Sequence, residues 1–586
     1  MRNSQQLRKL QHFELVEIIS DPKTPCHIKQ KAIRTLRNIK DRQLAWKIIE
    51  KVLPVLETFI LHPSNNDLQR EALWLLGYVR NYSTIGIIEN LIASPQTSPL
   101  LKENALRVLG FSISRGSKLA AQAVERLFPI LERLITFPQT LDGLKKIAIK
   151  TLVKGLPLKV RGPKVEFLKE SYNFVSVNIN DILSKVQSPH YPRFISRSLV
   201  YDLVNNHILV IKILKEKQHP SSLLREGYWI KYLNKLKTEG HFTDVRFDIP
   251  QLLEFSGCYL IKLTNIPIRI PKGIKLHPER YAVCFVVSKE YFCYPNETQP
   301  EKVLSGQETK EIMARCAYLL GYLTSLGIIH TEVIPLFHNR IQIGRRFDRG
   351  LYKWQFRGRL DRWLVSCDWP NFGKTGIRDF EHIISWDEKP GSQGCSAMYR
   401  FIGNHLLSLF LVTGSYFRNR KREMTGWDHK GKPVDARNLF NKSLFKEIVQ
   451  AILLSYYKGF VGKQYLKEFP FDLDNLIQRA IKEMGVDRHM EERLRIEDQQ
   501  RMSEEEFKEF LMTKGYSEEE IKRFTKGVKD IILFTGPHLG GFNELISLPE
   551  MIDAITIWAA LCIIGKYKMV PGAGIEPARG HSLKGF

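Results

Sequence analysis

The sequence predicts an α+β multidomain chain. An N-terminal α-helical repeat comes first, then a small β-rich lobe followed by a helical lobe, then a C-terminal helical region. Three observations point there. The 586 residues exceed what one compact core holds. A helical Ala-x-x-x-Leu pattern recurs through the first part of the chain, to about residue 160. From about residue 165 the pattern changes to short β-rich runs, and from 301 onward it is mostly helical.

In the first region, 1–160, KAIRTLRNI, EALWLLGYV, NALRVLGFS and IAIKTLVKG align on Ala32/Leu36, Ala72/Leu76, Ala105/Leu109 and Ala148/Leu152. Proline-containing loops lie upstream of each. A small alanine lets helices approach closely, and leucine at i+4 shares its face. Periods near 40 residues suit stacked helix pairs of the HEAT or armadillo kind, which usually bind a partner along one face. An irregular helical domain is the competing reading.

The next region, 165–430, opens with RFISRSLVYDLVNNHILVIKILK, two β-rich runs around an Asn-Asn turn. SSLLREGYWIKYLNKL reads as a helix, and YLIKL and YAVCFVV as strands. Residues 431–566 continue as charged amphipathic helices and are expected to form a separate C-terminal region. Residues 567–586 are expected to be a disordered tail. The string GAGIEPAR within them resembles the translated antisense of a transfer-RNA gene.

Lys+Arg number 88 against Asp+Glu 62, a net charge of +26 that favours acidic partners. Nucleic acid ranks last among those partners. The eight cysteines never form Cys-x-x-Cys, which argues against a zinc ribbon, a thioredoxin-type site and a disulfide framework. A reducing cytosol is the expected setting, with secretion as an effector left open. The N-terminus has no signal-like apolar run. The longest apolar stretch, AITIWAALCIIG, is shorter than the ~20 residues a membrane helix needs, so a buried helix is expected.

Lys212 ends the apolar run Leu209-Val210-Ile211. A lysine there must reach solvent or meet an anion. Glu226 lies 14 residues later, on the expected helix. Asp379, in GIRDFEHI, follows a short apolar strand and suits Mg²⁺, with Glu381 as a second ligand and the Asn371 amide oxygen upstream. The competing readings are a snorkelling lysine, a surface glutamate and a turn rich in Asn and Gly. Between these lies LGIIHTEVIPLFHNR, with His330, Thr331 and Glu332. No glycine-rich loop precedes the lysine strand, so side chains would have to cover any phosphates. Arg197 supplies a planar fork for that task or is an exposed strand arginine. GRRFDRGLYKWQFRGRLDRW, 344–363, is basic with interleaved aromatics. It reads as a nucleotide pocket, an RNA-contacting loop or a solvated segment.

Lys212, Glu226, the His330 loop and Asp379 stand in the order of a bilobal protein-kinase-like domain, with a glycine replaced by Glu381. The departures resemble the bacterial SidJ-type pseudokinases, which act as protein glutamylases. The resemblance covers about a third of the chain, residues ~190–382. It implies ATP and Mg²⁺ as cofactors, activation of a protein carboxylate through an acyl-adenylate, and free glutamate as co-substrate. It also implies that Arg197, Lys212, Glu226 and Asp379 serve catalysis. By the same resemblance, His330, Arg359 and Asn371 line a second nucleotide pocket. IQRAIKEMGVDR, 477–488, lacks the central glycine of an IQ helix, so dependence on calmodulin is not expected. The expected function is an ATP- and Mg²⁺-dependent protein-modifying enzyme, acting on an acidic or nucleotide-utilising protein with room for an activator. A degenerate Ser/Thr kinase and a non-catalytic scaffold are the alternatives.

Overall fold

The computed structural model describes residues 12–291 with short gaps, 306–331, 340–342, 354–356, 372–388, 398–409, 442–462, 499–502, 531–534 and 553–568, the stretches 372–388 and 398–409 also with gaps, and the isolated positions 474, 505, 508, 509, 512 and 518. The chain is mixed α/β and divides into two compact units. One holds Met1–Lys159 with two short later stretches, and the other takes in the remainder.

The first unit is helical in its described residues: α1 (His12–Ser20), α2 (Cys26–Arg37), α3 (Arg42–Leu61), α4 (Asn66–Val79), α5 (Tyr82–Ala93), α6 (Pro99–Ser114), α7 (Lys118–Arg126), α8 (Phe128–Thr136) and α9 (Asp142–Gly155). Prolines and polar caps set the starts. Asn81 caps α5 through a reciprocal capping box with Thr84, and Ser98 caps α6 just ahead of Pro99. All four Ala/Leu pairs fall on α2, α4, α6 and α9 and are fully buried. These four helices pack neighbour on neighbour. Side-chain hydroxyls tie them: Ser112 Oγ donates to Gly77 O at 2.7 Å, and Thr151 Oγ1 donates to Leu106 O at 3.0 Å.

The second unit is built on a curled sheet. Its strands are β1 (Val175–Val177), β2 (Arg193–Ile195), β3 (Ser198–Asp202), β4 (His207–Ile213), β5 (Gln251–Leu252), β6 (Ile261–Leu263) and β7 (Tyr281–Ser288), in the order β1-β6-β7-β4-β3-β2 with β5 also on β7. The expected hairpin is present as β3–β4, and Asn205 and Asn206 take φ of 63° and 60° between the strands. Asn tolerates that left-handed region better than other side-chain-bearing residues. Strand β4 is central and buried on both faces after His207. Leu209, Ile211 and Ile213 join a core with Ile179 and Ile182 of α10 (Ile179–Val186). By strand alternation Lys212 projects to the other face, where α11 (Ser221–Thr238) lies.

Beyond the sheet, α12 (Gly306–Ser325) leads into β8 (Ile328–His330). A second sheet has the order β14-β15-β10-β9, from β9 (Arg340–Gln342), β10 (Trp354–Phe356), β14 (Gln499–Met502) and β15 (Ile531–Phe534). The short hairpin β11–β12 (Phe372–Gly373, Gly376–Ile377) precedes Asp379, and β13 (Ile383–Ser385) follows it and pairs antiparallel with β8.

The described helices of 431–566 pack within this second unit. Helix α13 (Lys442–Val461) lies along α12, and α14 (Asp553–Lys568) lies on α13, where Trp558 Nε1 donates to Leu453 O at 3.0 Å. Helix α14 contains the longest apolar run, and it includes residues 567 and 568 of the expected tail. The rest of that tail, 569–586, falls outside the described residues. Among the described residues no helix is long and apolar enough to cross a membrane.

Helices α12 and α13 meet backbone to backbone. A Cβ on Gly321 would lie 2.4 Å from Tyr456 O, and one on Gly459 would lie 2.2 Å from Tyr318 O. Gly321→Ala is therefore expected to destabilise the chain by about 1–3 kcal/mol. That outweighs the ~1 kcal/mol alanine gains over glycine inside a helix. Thermal or urea unfolding of the full chain measures the shift, and an unchanged midpoint would contradict this packing.

Candidate functional site

The Lys212 ammonium is buried, and three carboxylates from two segments converge on it. Glu226 of α11 accepts at 2.8 Å, Asp379 at 3.1 Å, and Glu381 lies at 3.7 Å. Strand β4 delivers the lysine because register fixes it opposite Ser198 on β3 and Val283 on β7. Helix α11 delivers Glu226 and is itself docked on the 379–383 segment, where Arg225 Nη1 donates to Ile383 O at 3.2 Å.

Arg197 occupies the connection between β2 and β3. The register Ile195↔Ser198 leaves two residues, 196 and 197, to turn the chain. Its carbonyl accepts from Ile213 N at 3.2 Å, which holds the turn over the end of β4. Its guanidinium donates through Nη1 to Gln218 Oε1 and through Nη2 to Glu381 Oε2.

Asp379 sits in the left-handed region, φ 56° and ψ 61°, and heads a short 3₁₀ turn, Phe380–His382. Phe380 is fully buried and anchors the turn. The Asp379 side chain is 34% exposed against 10% for Glu381 and 1% for Glu226, so the cluster opens to solvent at Asp379.

The electrostatics follow from burial and proximity. Burial works against the Lys212 charge, but Asp379, Glu226 and Glu381 outweigh it and raise its pKa. Burial also opposes the Arg197 charge, which Glu381 and Glu226 restore. Asp379 and Glu381 are disfavoured as anions by burial but are held below the ordinary carboxylate range. Lys212 does so for both, helped by Arg378 at Asp379 and by Arg197 at Glu381. Glu226 goes the other way. Burial, with Glu381 and Asp379 as like charges, pushes it up to about 7 despite Lys212. Its Oε2 is buried with no hydrogen-bond partner among the described residues. The cluster thus pairs three carboxylates with Arg197 and Lys212, and Arg378 adds a third cation beside Asp379.

Mg²⁺ takes one or two protein carboxylates and completes its shell with water and phosphate oxygens. Asp379 and Glu381 meet that description. Among the described residues no group of three or more His, Cys, Asp or Glu is placed to hold a metal ion. The third expected metal residue, Asn371, lies outside the described residues, as do Arg359 and Glu332.

His330 has a role the sequence did not suggest. Its ring is buried, and Nε2 donates to Arg378 O at 2.9 Å, one residue before Asp379. Burial pushes its pKa down to about 3, so the ring is neutral near pH 7. With that nitrogen spent inside the chain, His330 positions Asp379; the residues expected beside it in a second pocket are not described. Thr331 adds two bonds, from N and Oγ1 to His382 O at 2.9 and 2.8 Å.

A buried string supports His330 in turn. His405 Nε2 donates to His330 O at 2.9 Å, and Tyr456 on α13 donates its hydroxyl to His405 Nδ1 at 2.9 Å. Burial lowers the His405 pKa to about 4. Sequence reasoning missed Gln218, Arg378, His405 and Tyr456. His405 sits alone in the apolar run FIGNHLLSLF, and nothing in its spacing ties it to position 330.

His405→Phe strands the His330 carbonyl and the Tyr456 hydroxyl and is expected to cost about 1–3 kcal/mol, whereas His405→Gln keeps a donor and costs less. The pH dependence is directional. Unfolded His405 takes up a proton near 6.5 that the folded side chain refuses until about 4. Its contribution to stability is complete above 6.5 and lost as pH falls toward 4. His405→Gln should therefore lose stability less steeply than the parent across that window, as read from thermal midpoints at a series of pH values.

No protein-family model matches the chain, and no curated protein matches it.

Proposed function

We propose that this chain is an ATP- and Mg²⁺-dependent protein-modifying enzyme on a pseudokinase scaffold of the SidJ type. In this reading it joins glutamate to a protein carboxylate through an acyl-adenylate. The observation that carries the reading is the buried Lys212, bonded at once to Glu226 of α11 and to Asp379. A strand lysine, a helix acid and a metal-binding aspartate in that relation are what a kinase-like nucleotide site requires. The sheet with α11 corresponds to the smaller lobe, and α12 with α13 to the helical one. The buried Ala/Leu pairs of α2, α4, α6 and α9 support a HEAT-like array that serves partner binding.

Three features favour a carboxylate over a hydroxyl as the acceptor. After His330 come Thr331, whose hydroxyl is spent on His382 O, and Glu332, a longer acid in place of the aspartate an ordinary kinase uses for base catalysis. A two-residue turn carrying Arg197 stands in place of a glycine-rich loop. Glu381 stands where a glycine would follow Asp-Phe. A protein carboxylate is already ionised near pH 7 and needs no base. Its oxygen attacks the α-phosphorus and pyrophosphate leaves. The amino nitrogen of glutamate then attacks the acyl carbon, and AMP and a proton depart. Arg197 and Lys212 offset charge on the phosphates, and Asp379 and Glu381 hold the metal that neutralises the remainder. The net charge of +26 suits an acidic protein substrate.

Intact mass spectrometry after incubation with ATP, Mg²⁺, glutamate and candidate proteins separates the outcomes. Addition of AMP or glutamate supports the reading, and addition of phosphate alone replaces it with a degenerate kinase. No mass change, together with no ATP-induced rise in melting temperature, would leave a binding scaffold. Lys212→Ala and Asp379→Ala are each expected to lower the rate about 100-fold or more.

A further inference from the structure

Glu381 accounts for both sides of the phosphate question. Its Oε2 accepts from Arg197 Nη2 and lies 3.7 Å from Lys212 Nζ, while its Oε1 lies 3.5 Å from His382 Nε2. It is therefore the carboxylate shared by the two cations that would meet a nucleotide. The other terminal nitrogen of Arg197 is given to Gln218. Both ends of the fork are thus already engaged by the chain. Each terminal nitrogen keeps a further N–H, so a phosphate oxygen that meets Arg197 shares its charge with Glu381.

We infer that Glu381 makes nucleotide binding conditional on a divalent cation. The inference rests on the nucleotide reading of this site and deepens it. A metal-free triphosphate entering the cluster meets Asp379 on the open side and Glu381 behind it, the first bonded to Lys212 and the second to Arg197. It must compete with Glu381 for Arg197 and with Asp379 for Lys212, the partners those cations already have. A divalent cation reverses this. Asp379 and Glu381 would hold it, and with Glu381 so engaged the guanidinium of Arg197 would be free to meet the phosphates. Glu381 is then a specificity-determining residue that selects the metal complex of the nucleotide over the free anion. A glycine at this position would leave Arg197 without this counter-ion and would not discriminate in this way.

The remaining structure is consistent with such an exchange. Arg197 is buried, with its carbonyl tied to Ile213 N of β4, and Glu381 lies on the short turn beside Asp379. The Asp379 carboxylate stays in place because Lys212 and the Arg378–His330 bond hold its segment.

Calorimetric titration of the full chain with ATP, in EDTA and in Mg²⁺, tests this. The parent protein is expected to bind about 100-fold more tightly with Mg²⁺. Glu381→Gln keeps an acceptor for Arg197 but removes the charge. It should bind metal-free ATP about tenfold more tightly than the parent, and its dependence on Mg²⁺ should shrink. Tripolyphosphate should show the same gain and adenosine none, because the effect acts on the phosphates. Glu381→Ala repeats the test if the glutamine variant folds poorly, as judged from its melting temperature without ligand. Metal-free affinity that is unchanged or weaker in these variants would overturn the inference while leaving the nucleotide reading intact. A parent protein that binds ATP under neither condition would overturn both.

Discussion

A buried ammonium is the constraint on which the second unit depends. Removing Lys212 from water costs several kcal/mol unless anions replace the lost hydration. Strand β4 cannot supply an anion, because its neighbours are apolar. The acids come instead from α11 and from the 379–381 segment, which must lie close to the same strand end. One charge therefore fixes the relative placement of a sheet, a helix and a turn. Taking away one partner would leave an uncompensated ion, a loss of about 3–5 kcal/mol.

The polar frame around the cluster divides into two kinds. At the centre are ion pairs whose balance is incomplete, with Glu226 raised and its second oxygen unpartnered. Around them are neutral hydrogen bonds, from Tyr456 through His405 and His330 to the Arg378 carbonyl. The neutral string is anchored on α13, and α13 is held against α12 by two glycines that let the backbones touch. Rigidity is thus supplied by uncharged groups, and the surplus charge is kept where a ligand would arrive. Sites that bind metal and phosphate need that arrangement, since precise placement and unsatisfied charge must coexist.

Local patterns were readable and distant pairings were not. The Asn-Asn turn, strand β4, helix α11 and the buried Ala/Leu faces all express spacings of two to four residues, and each is in the structure. The apolar run of α14 was rightly read as a buried helix. The partner of Arg197 was not legible, because an arginine near a strand has the same local signature whether it faces solvent or a carboxylate. His330 was singled out, but its task depends on a carbonyl 48 residues away. His405 and Tyr456 carried no signal at all, since a histidine in an apolar run and a tyrosine in a helix are ordinary core residues. Glu381 was placed at the metal by its neighbour Asp379, and its bond to Arg197 emerges only once the hairpin turn and the 3₁₀ turn meet.

The contacts of the cluster also carry an order in time. Lys212 and Glu226 are 14 residues apart, whereas Arg197 and Glu381 are 184 apart. During synthesis the lysine and the helix acid emerge together and can pair early. The arginine waits for the rest of the sheet, α12 and the β11–β12 hairpin to be made before its carboxylate exists. Long loops close slowly and late. A ribosome-bound chain therefore carries an unmatched guanidinium while a further 184 residues are added, and the cluster around Lys212 is complete only once residue 381 has emerged.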